Sequence, residues 1–131
     1  MPEPRLTGID HVQLAIPVGG EDAARAYYVT LLGLREVPKP TALTGRGGIW
    51  LAAPGIALHL GVETPFVPAR KAHPAFVVDD LEALRERLHA AGVAMQLDGA
   101  EIGVRRFHAF DPFGNRLELV DARDGGFTTR G

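Results

Sequence analysis

The segment DPFGNRLELVD spans residues 111–121 and combines a turn with the last strand predicted in the chain. Aspartate and proline stand at its start, in positions that turns favour. The following NRLELVD, residues 115–121, alternates polar and apolar side chains, which predicts a strand with one buried face. A similar unit occurs earlier, where a Pro54-Gly55 turn precedes the predicted strand IALHLGVE at residues 56–63. The chain therefore contains the same turn and strand twice.

The similarity between these two segments extends over most of the chain. A shift of 59 positions matches the turns, the last strands and the glycines that end the helices: Gly55 with Gly114, Leu58-His59-Leu60 with Leu117-Glu118-Leu119, and Gly33 with Gly92. The first strands match at a shift of 62, which places His11 on His73. The difference of three residues corresponds to the longer VGGED loop between the first strand and the first helix.

Each half contains the same predicted order of elements, βαβββ. Helices are predicted at residues 20–34 and 79–92 from apolar residues at helical spacing, and strands fill the remainder of each half. This repeat predicts an α+β fold of two βαβββ modules, with cupped mixed sheets and the helices outside. Residues 1–131 form one domain in this interpretation: module one about 8–63, a linker 64–71, module two about 72–121, and a loose tail 122–131.

Composition narrows the functional classes. The chain has 131 residues, a hydrophobic fraction of 46%, a formal net charge of −2 and no cysteine. No long basic cluster is present, which argues against nucleic acid and anionic membranes as partners. The absence of cysteine excludes disulfides, thiolate metal sites and cysteine nucleophiles. Because no signal peptide or membrane-spanning run is evident, we expect a cytoplasmic enzyme or binding protein.

The repeat brings four potential metal ligands to two equivalent places. His11 and His73 lie on the opening strands of the modules, whereas His59 and Glu118 lie on the closing strands. Three imidazoles and one carboxylate suit a divalent Zn, Ni, Co, Fe or Mn ion. Each residue alone has an ordinary alternative, since a strand histidine can be hydrogen-bonded in the core and Glu118 or His59 can face water. Their recurrence at equivalent positions favours the metal site.

The segments DPFGNRLEL and HPAFVVDDLEAL make the chain resemble the vicinal oxygen chelate superfamily, the glyoxalase/bleomycin-resistance/extradiol-dioxygenase group. The resemblance implies paired βαβββ modules that form a cup around a divalent metal, which a substrate chelates through two adjacent oxygens. It implies His11, His73 and Glu118 as ligands, with His59 at the fourth position. Ala15 and Gln13 depart from glyoxalase I and from fosfomycin thiol transferases respectively, so the subfamily stays open.

Further residues are predicted to contact a substrate: Gln13, Trp50 and Arg106. Gln13 shares a strand face with His11, and Arg106 could hold an anionic group; packing or a solvated face are the alternatives. The resemblance to glyoxalases implies Glu118 as the catalytic base. The predicted function is a glyoxalase-like metalloenzyme with isomerase or lyase chemistry. An antibiotic-binding resistance protein and an iron-dependent dioxygenase are the alternatives.

A homodimer with metal sites shared between its two chains is also predicted. The resemblance implies that small two-module members dimerise. The linker TPFVPAR contains Pro65 and Pro68, which stiffen it and can hold the two modules of one chain apart.

Overall fold

The computed structural model describes residues 3–98 and 105–124 of the chain. Within these ranges each module contributes four strands: β1 Val12–Ile16, β2 Arg35–Val37, β3 Ile49–Ala53 and β4 Ile56–Val62, then β5 Ala75–Val78, β6 Met95–Asp98, β7 Arg106–Phe110 and β8 Arg116–Asp121. Helix α1 (Glu21–Ala24) continues as a π-helix (Arg25–Leu31), and helix α2 is Leu81–Ala90. Short 3₁₀ turns lie at Thr41–Arg46 and Ala122–Asp124. Val104, predicted as a strand residue, and residues 125–131 of the predicted tail lie outside the described residues.

The strands form two mixed sheets of identical topology. Their orders are β1-β4-β3-β2 and β5-β8-β7-β6. In each sheet the first strand runs parallel to the last strand of its module, and the other pairs are antiparallel. The predicted α+β fold with two mixed sheets and accompanying helices is confirmed.

The strand register reproduces both shifts found in the sequence. Gln13 pairs with His59 in the first sheet, and Ala75 pairs with Glu118 in the second. These two pairs are related by the shifts of 62 and 59 residues between the modules. Equivalent backbone positions in the two sheets therefore carry the residues that the repeat had matched.

Alternation along the strands separates a core face from an opposite face. Leu58 and Leu60 on β4, and Leu117 and Leu119 on β8, are at most 2% exposed and pack in the core with residues of the helices. Successive strand residues point to opposite faces. The side chains between these leucines therefore leave the core on the other face of each sheet, which we call the site face.

Helix α2, Leu81–Ala90, lies within the predicted range 79–92, and local contacts account for both of its ends. The Asp80 side chain accepts a hydrogen bond from the Ala83 amide at 3.1 Å, which is an N-cap. Gly92 has a φ of 76°, and the Val93 amide donates to the Leu88 carbonyl at 3.0 Å. A left-handed residue at this point suits glycine, because it has no Cβ to clash.

The turn before β8 also joins the two modules. The buried Asp111 carboxylate accepts a hydrogen bond from the Tyr28 hydroxyl at 2.7 Å, and from the backbone and side-chain amides of Asn115 at 2.8 and 2.9 Å. Asn115 also donates to the carbonyl of Ala15 on β1 at 2.8 Å. Burial and the nearby Asp111 charge raise the pKa of Tyr28, so its hydroxyl stays a donor. The DPFGN turn thus fixes module two against module one.

No helix in the described part of the chain is long and apolar enough to span a bilayer.

Candidate metal centre

The site face of the second sheet carries a compact polar cluster. His73 Nε2 lies 3.0 Å from Glu118 Oε1, and His108 Nε2 lies 3.6 Å from the same oxygen. Glu118 lies between buried leucines on β8 and is opposite His108 in the register of β7 and β8. We call His73, His108 and Glu118 the module-two cluster. Its potential ligand atoms all lie within 4.8 Å of one another.

Two arginines surround this cluster. Arg106 Nε lies 3.6 Å from Glu118 Oε2, so the guanidinium contacts the carboxylate oxygen that faces away from the histidines. Arg116 Nη2 lies 3.3 Å from His108 Nε2. Strand parity places both arginines on the site face, since Arg106 is two residues from His108 and Arg116 is two residues from Glu118. Glu118 is therefore held by histidines at one oxygen and by an arginine at the other.

The site face of the first sheet carries three stacked rings at the equivalent positions. The His59 ring lies between His11, at a centroid distance of 4.1 Å, and Trp50, at 3.8 Å with an interplanar angle of 3°. We call these residues the module-one cluster. Burial, and then the proximity of His11, lower the pKa of His59 below its usual value, which favours the neutral imidazole. The His11 side chain is 40% exposed and contacts Asp10 at 2.8 Å.

Within one chain, the four predicted ligands fall into two groups. His73 and Glu118 lie together, and His11 and His59 stack on each other. In residues 3–98 and 105–124 the only group of three or more potential ligands is the module-two cluster. Neither His11 nor His59 belongs to it, so a single chain does not bring the four residues to one point.

The residues predicted to contact a substrate lie beside these two clusters. Trp50 stacks on His59, and Trp50 and Gln13 line a cavity of about 290 Å³ together with Lys39 and Arg46. Gln13 is the register partner of His59. Arg106 contacts Glu118 in the second module, as described above. Two of the three residues therefore belong to module one, and the third belongs to module two.

Sequence reasoning missed His108 and Arg116 as site residues. A uniform shift of 59 matches Trp50 with Ala109. In the sheets, however, Trp50 is opposite His59 and His108 is opposite Glu118, so the strand register matches Trp50 with His108. The cause is the turn, because Pro54-Gly55 is one residue shorter than its counterpart, Pro112-Phe113-Gly114. Counting the turn residues would have moved the preceding strand by one position and revealed the histidine. For Arg116, its position two residues before Glu118 on a strand was the available signal.

The module-two cluster fits a divalent transition metal. Imidazole nitrogen and carboxylate oxygen are ordinary ligands of Zn, Fe, Ni, Co and Mn. The cluster is enclosed, since the side chains of His108 and Glu118 are only 4% and 10% exposed. His73 Nδ1 contacts the carbonyl of Lys71 at 2.7 Å. Such a contact holds the ring so that Nε2 faces the cluster, as the outer hydrogen bonds of metal-binding histidines commonly do.

The chain therefore combines two modules of mixed sheet with a cluster of potential metal ligands on the site face of the second sheet. Residues 8–119 match the family model of the Glyoxalase/Bleomycin resistance protein/Dioxygenase superfamily. The chain belongs to this superfamily, which confirms the resemblance noted in the sequence.

Three solved structures illustrate the relationship. A glyoxalase family protein from Bacillus anthracis is 43% identical, with a TM-score of 0.86 over 92% of this chain and 98% of the other. The fosfomycin resistance protein FosX from Listeria monocytogenes is 16% identical, with a TM-score of 0.73 over 89% of this chain and 94% of that one. A variant of that FosX, in complex with Mn(II) and 1S,2S-dihydroxypropylphosphonic acid, is 16% identical and gives a TM-score of 0.76 over 89% and 93%. The similarity to FosX shows a common fold. A comparison with curated protein sequences yields no match.

Proposed function

We propose that the protein is a divalent-metal-dependent enzyme of the glyoxalase type, acting on a small substrate that chelates the metal through two adjacent oxygens. The observation that carries this proposal is the convergence of His73 Nε2, His108 Nε2 and Glu118 Oε1 within 4.8 Å. The Mn(II) complex of the fold relative FosX supports a metal of this class. When bound, the ion would supply Lewis-acid polarisation of a substrate oxygen.

The side chains of the cluster divide the remaining work. His73 and Glu118 would hold the metal, with His108 as the third donor of the same chain. Arg106, at 3.6 Å from Glu118 Oε2, orients the carboxylate so that Oε1 faces the histidines. Glu118 is the residue that would accept a proton from the carbon next to a chelated carbonyl, because it is the only carboxylate in this cluster.

The module-one cluster would complete the site from a second copy of the chain. We propose a homodimer in which His11 and His59 of one chain face His73 and Glu118 of the other. Two observations support this arrangement. His11 and His59 are separate from the module-two cluster within one chain, and the His11 side chain is 40% exposed. In the dimer, Gln13 and Trp50 would contact the substrate from the side opposite Arg106.

Metal analysis tests the proposed function. We expect the protein loaded with Mn(II) and freed of excess ion to retain about one ion per chain, as one ligand cluster per chain implies. The His73→Ala variant should retain none, because it loses one of the donors that converge on Glu118 Oε1. The control is His89→Ala, which removes an exposed imidazole from helix α2. Equal metal content in His73→Ala and His89→Ala would contradict the proposal.

One observation favours a second function, an iron-dependent dioxygenase. The module-two cluster consists of two histidines and one carboxylate, the ligand set of many non-haem Fe(II) oxygenases. Loading with Fe(II) or Mn(II) in separate samples distinguishes the two functions. Oxygen consumption with a vicinal-diol substrate in the Fe(II) sample alone would support the dioxygenase, whereas turnover without oxygen in the Mn(II) sample supports the glyoxalase-type reaction.

A further inference from the structure

Arg116 carries a positive charge that no carboxylate balances in the described part of the chain. Its Nη1 lies 3.4 Å from the Arg70 carbonyl and its Nη2 lies 3.3 Å from His108 Nε2, both long for hydrogen bonds. Its Nε is buried and has no acceptor among the described residues. Charged groups withdrawn from water are normally paired, because an unpaired one keeps the full cost of its lost hydration. Arg116 as a whole is half-buried, and its buried Nε lacks an anionic acceptor among the described residues.

The contact with His108 does not supply the missing acceptor. A guanidinium group only donates hydrogen bonds, and a neutral imidazole has one acceptor nitrogen. His108 faces guanidinium groups at both nitrogens, since Arg106 Nη1 lies 3.5 Å from Nδ1 and Arg116 Nη2 lies 3.3 Å from Nε2. If Nε2 binds the metal, its lone pair is used and Arg116 loses this acceptor as well.

The balance of charge around the cluster points the same way. Glu118 is the carboxylate of the cluster, and it already has Arg106 at 3.6 Å. Arg116 is thus a surplus cation among the described residues around the cluster, and a divalent metal would add two further positive charges. Like charges that lie close together repel one another, and the repulsion is stronger where they are shielded from water. An anionic ligand that reaches both the metal and Arg116 would offset this repulsion.

We propose that Arg116 forms an oxyanion subsite beside the metal centre. The substrate would then carry a carboxylate, phosphonate or phosphate group in addition to its two chelating oxygens. This inference rests on the proposed function and specifies its substrate class. Arg116 contacts His108, a member of the cluster, so the anionic group lies within a few bonds of the chelating oxygens. The planar guanidinium can hold such a group with two parallel hydrogen bonds.

Two hydroxamates test this subsite by calorimetric titration of the Mn(II)-loaded protein. Acetohydroxamate chelates a metal through two adjacent oxygens, and phosphonoacetohydroxamate adds a phosphonate to the same chelating group. We expect the wild-type protein to bind the phosphonate compound at least about tenfold more tightly, the strength of a charge-assisted bidentate contact. In Arg116→Gln this preference should disappear, while acetohydroxamate still binds. Arg116→Lys should keep part of the preference, since it keeps the charge but loses the planar fork.

The matched control is Arg105→Gln, which also removes one positive charge but whose partner is Asp121, 3.5 Å away. It should keep the full preference for the phosphonate compound. Equal preferences in Arg116→Gln and the wild-type protein would overturn the subsite and leave the proposed function standing. Failure of both hydroxamates to bind the Mn(II)-loaded wild-type protein would overturn the proposed function and the subsite with it. Retained acetohydroxamate binding by Arg116→Gln shows that the variant is folded and loaded.

Discussion

The two modules place different chemistry on the same backbone positions. In module one, the equivalent sites carry His11, Trp50 and His59, which stack as flat rings. Module two instead has a polar group with a carboxylate at its centre: His73, His108 and Glu118. The nitrogens of an imidazole lie in the plane of its ring, so rings that stack face to face do not direct their nitrogens towards one another. By contrast, His73 and His108 meet at an interplanar angle of 81°, and both direct a nitrogen towards Glu118.

This difference shows how a repeated fold can divide the parts of a site. Module one has the imidazole of His59 on β4 where module two has the carboxylate of Glu118 on β8. It therefore lacks the group that attracts hydrogen-bond donors and cations to the centre of the cluster. The module-one cluster therefore has aromatic surface and available nitrogen, whereas the module-two cluster has the carboxylate that the proposed metal site requires. The proposed site combines both kinds of cluster, and in the proposed dimer each comes from a different chain.

Subunit mixing tests whether the two clusters meet in one site, and it should give the greatest change of all the experiments. His11→Ala and Glu118→Ala should each abolish metal retention when purified alone, because each damages every site of its own dimer. After subunit exchange, half of the dimers are mixed and each has one intact site. We therefore expect recovery of about a quarter of the wild-type metal content, which elemental analysis can detect.

A second pair of variants controls this experiment. His73→Ala and Glu118→Ala both damage the module-two cluster, so a mixed dimer of these two chains has no intact site and should recover no metal. Recovery with the first pair alone supports a shared site. No recovery with either pair, after exchange is confirmed by mass-tagged subunits, would refute sharing and assign the metal to one chain.

The turns before the last strands also differ between the two modules, and we expect this difference to affect the stability of the protein. The tight Pro54-Gly55 turn of module one has its counterpart in DPFGN, where Asp111 accepts a hydrogen bond from Tyr28. Tyr28→Phe should lower the free energy of unfolding by about 1.5–3 kcal/mol, the range for a hydrogen bond to a charged group. Urea unfolding at neutral pH measures this change.

The neighbouring Tyr27 provides the control for Tyr28→Phe. Its hydroxyl is buried and has no hydrogen-bond partner among the described residues. Tyr27→Phe removes the same atom without losing a hydrogen bond, so its unfolding free energy should equal or exceed that of the wild-type protein. If the two variants are equally destabilised, the contact with Asp111 does not join the modules as we infer.

The sequence was sufficient for the fold because the repeat depends on short-range patterns. These patterns are the alternation around His59 and Glu118 and the glycines that end both helices. They are local, and both modules contain them. The site was less accessible, because it depends on register. One extra residue in the turn before β8 shifts β7 by one position, and only strand pairing shows that His108 is opposite Glu118. Distances such as that between Arg116 and His108 require the folded sheet, since they join neighbouring strands.

The residues that end β4 and β8 also differ, and this difference should have only a small influence on stability. Val62 ends β4, whereas the equivalent Asp121 ends β8, is 1% exposed and accepts hydrogen bonds from Arg123. The Arg123 side chain lowers the pKa of Asp121 below its ordinary value of 3.8. A carboxyl group whose pKa is lower in the folded state stabilises the protein above its unfolded-state pKa. This contribution is lost as the pH falls through the folded-state pKa.

Asp121→Asn tests this contribution, because asparagine keeps the shape of the side chain but cannot ionise. We expect the wild-type protein to be more stable than the variant by about 1 kcal/mol at pH 7, and the difference to shrink below about pH 4. Urea midpoints of both proteins at pH 7, 5 and 3 measure it, and subtraction removes the acid sensitivity of the other carboxylates. A difference that stays constant with pH would show that the ionised form of Asp121 does not stabilise the end of β8. In that case the contrast with Val62 would reflect packing rather than charge.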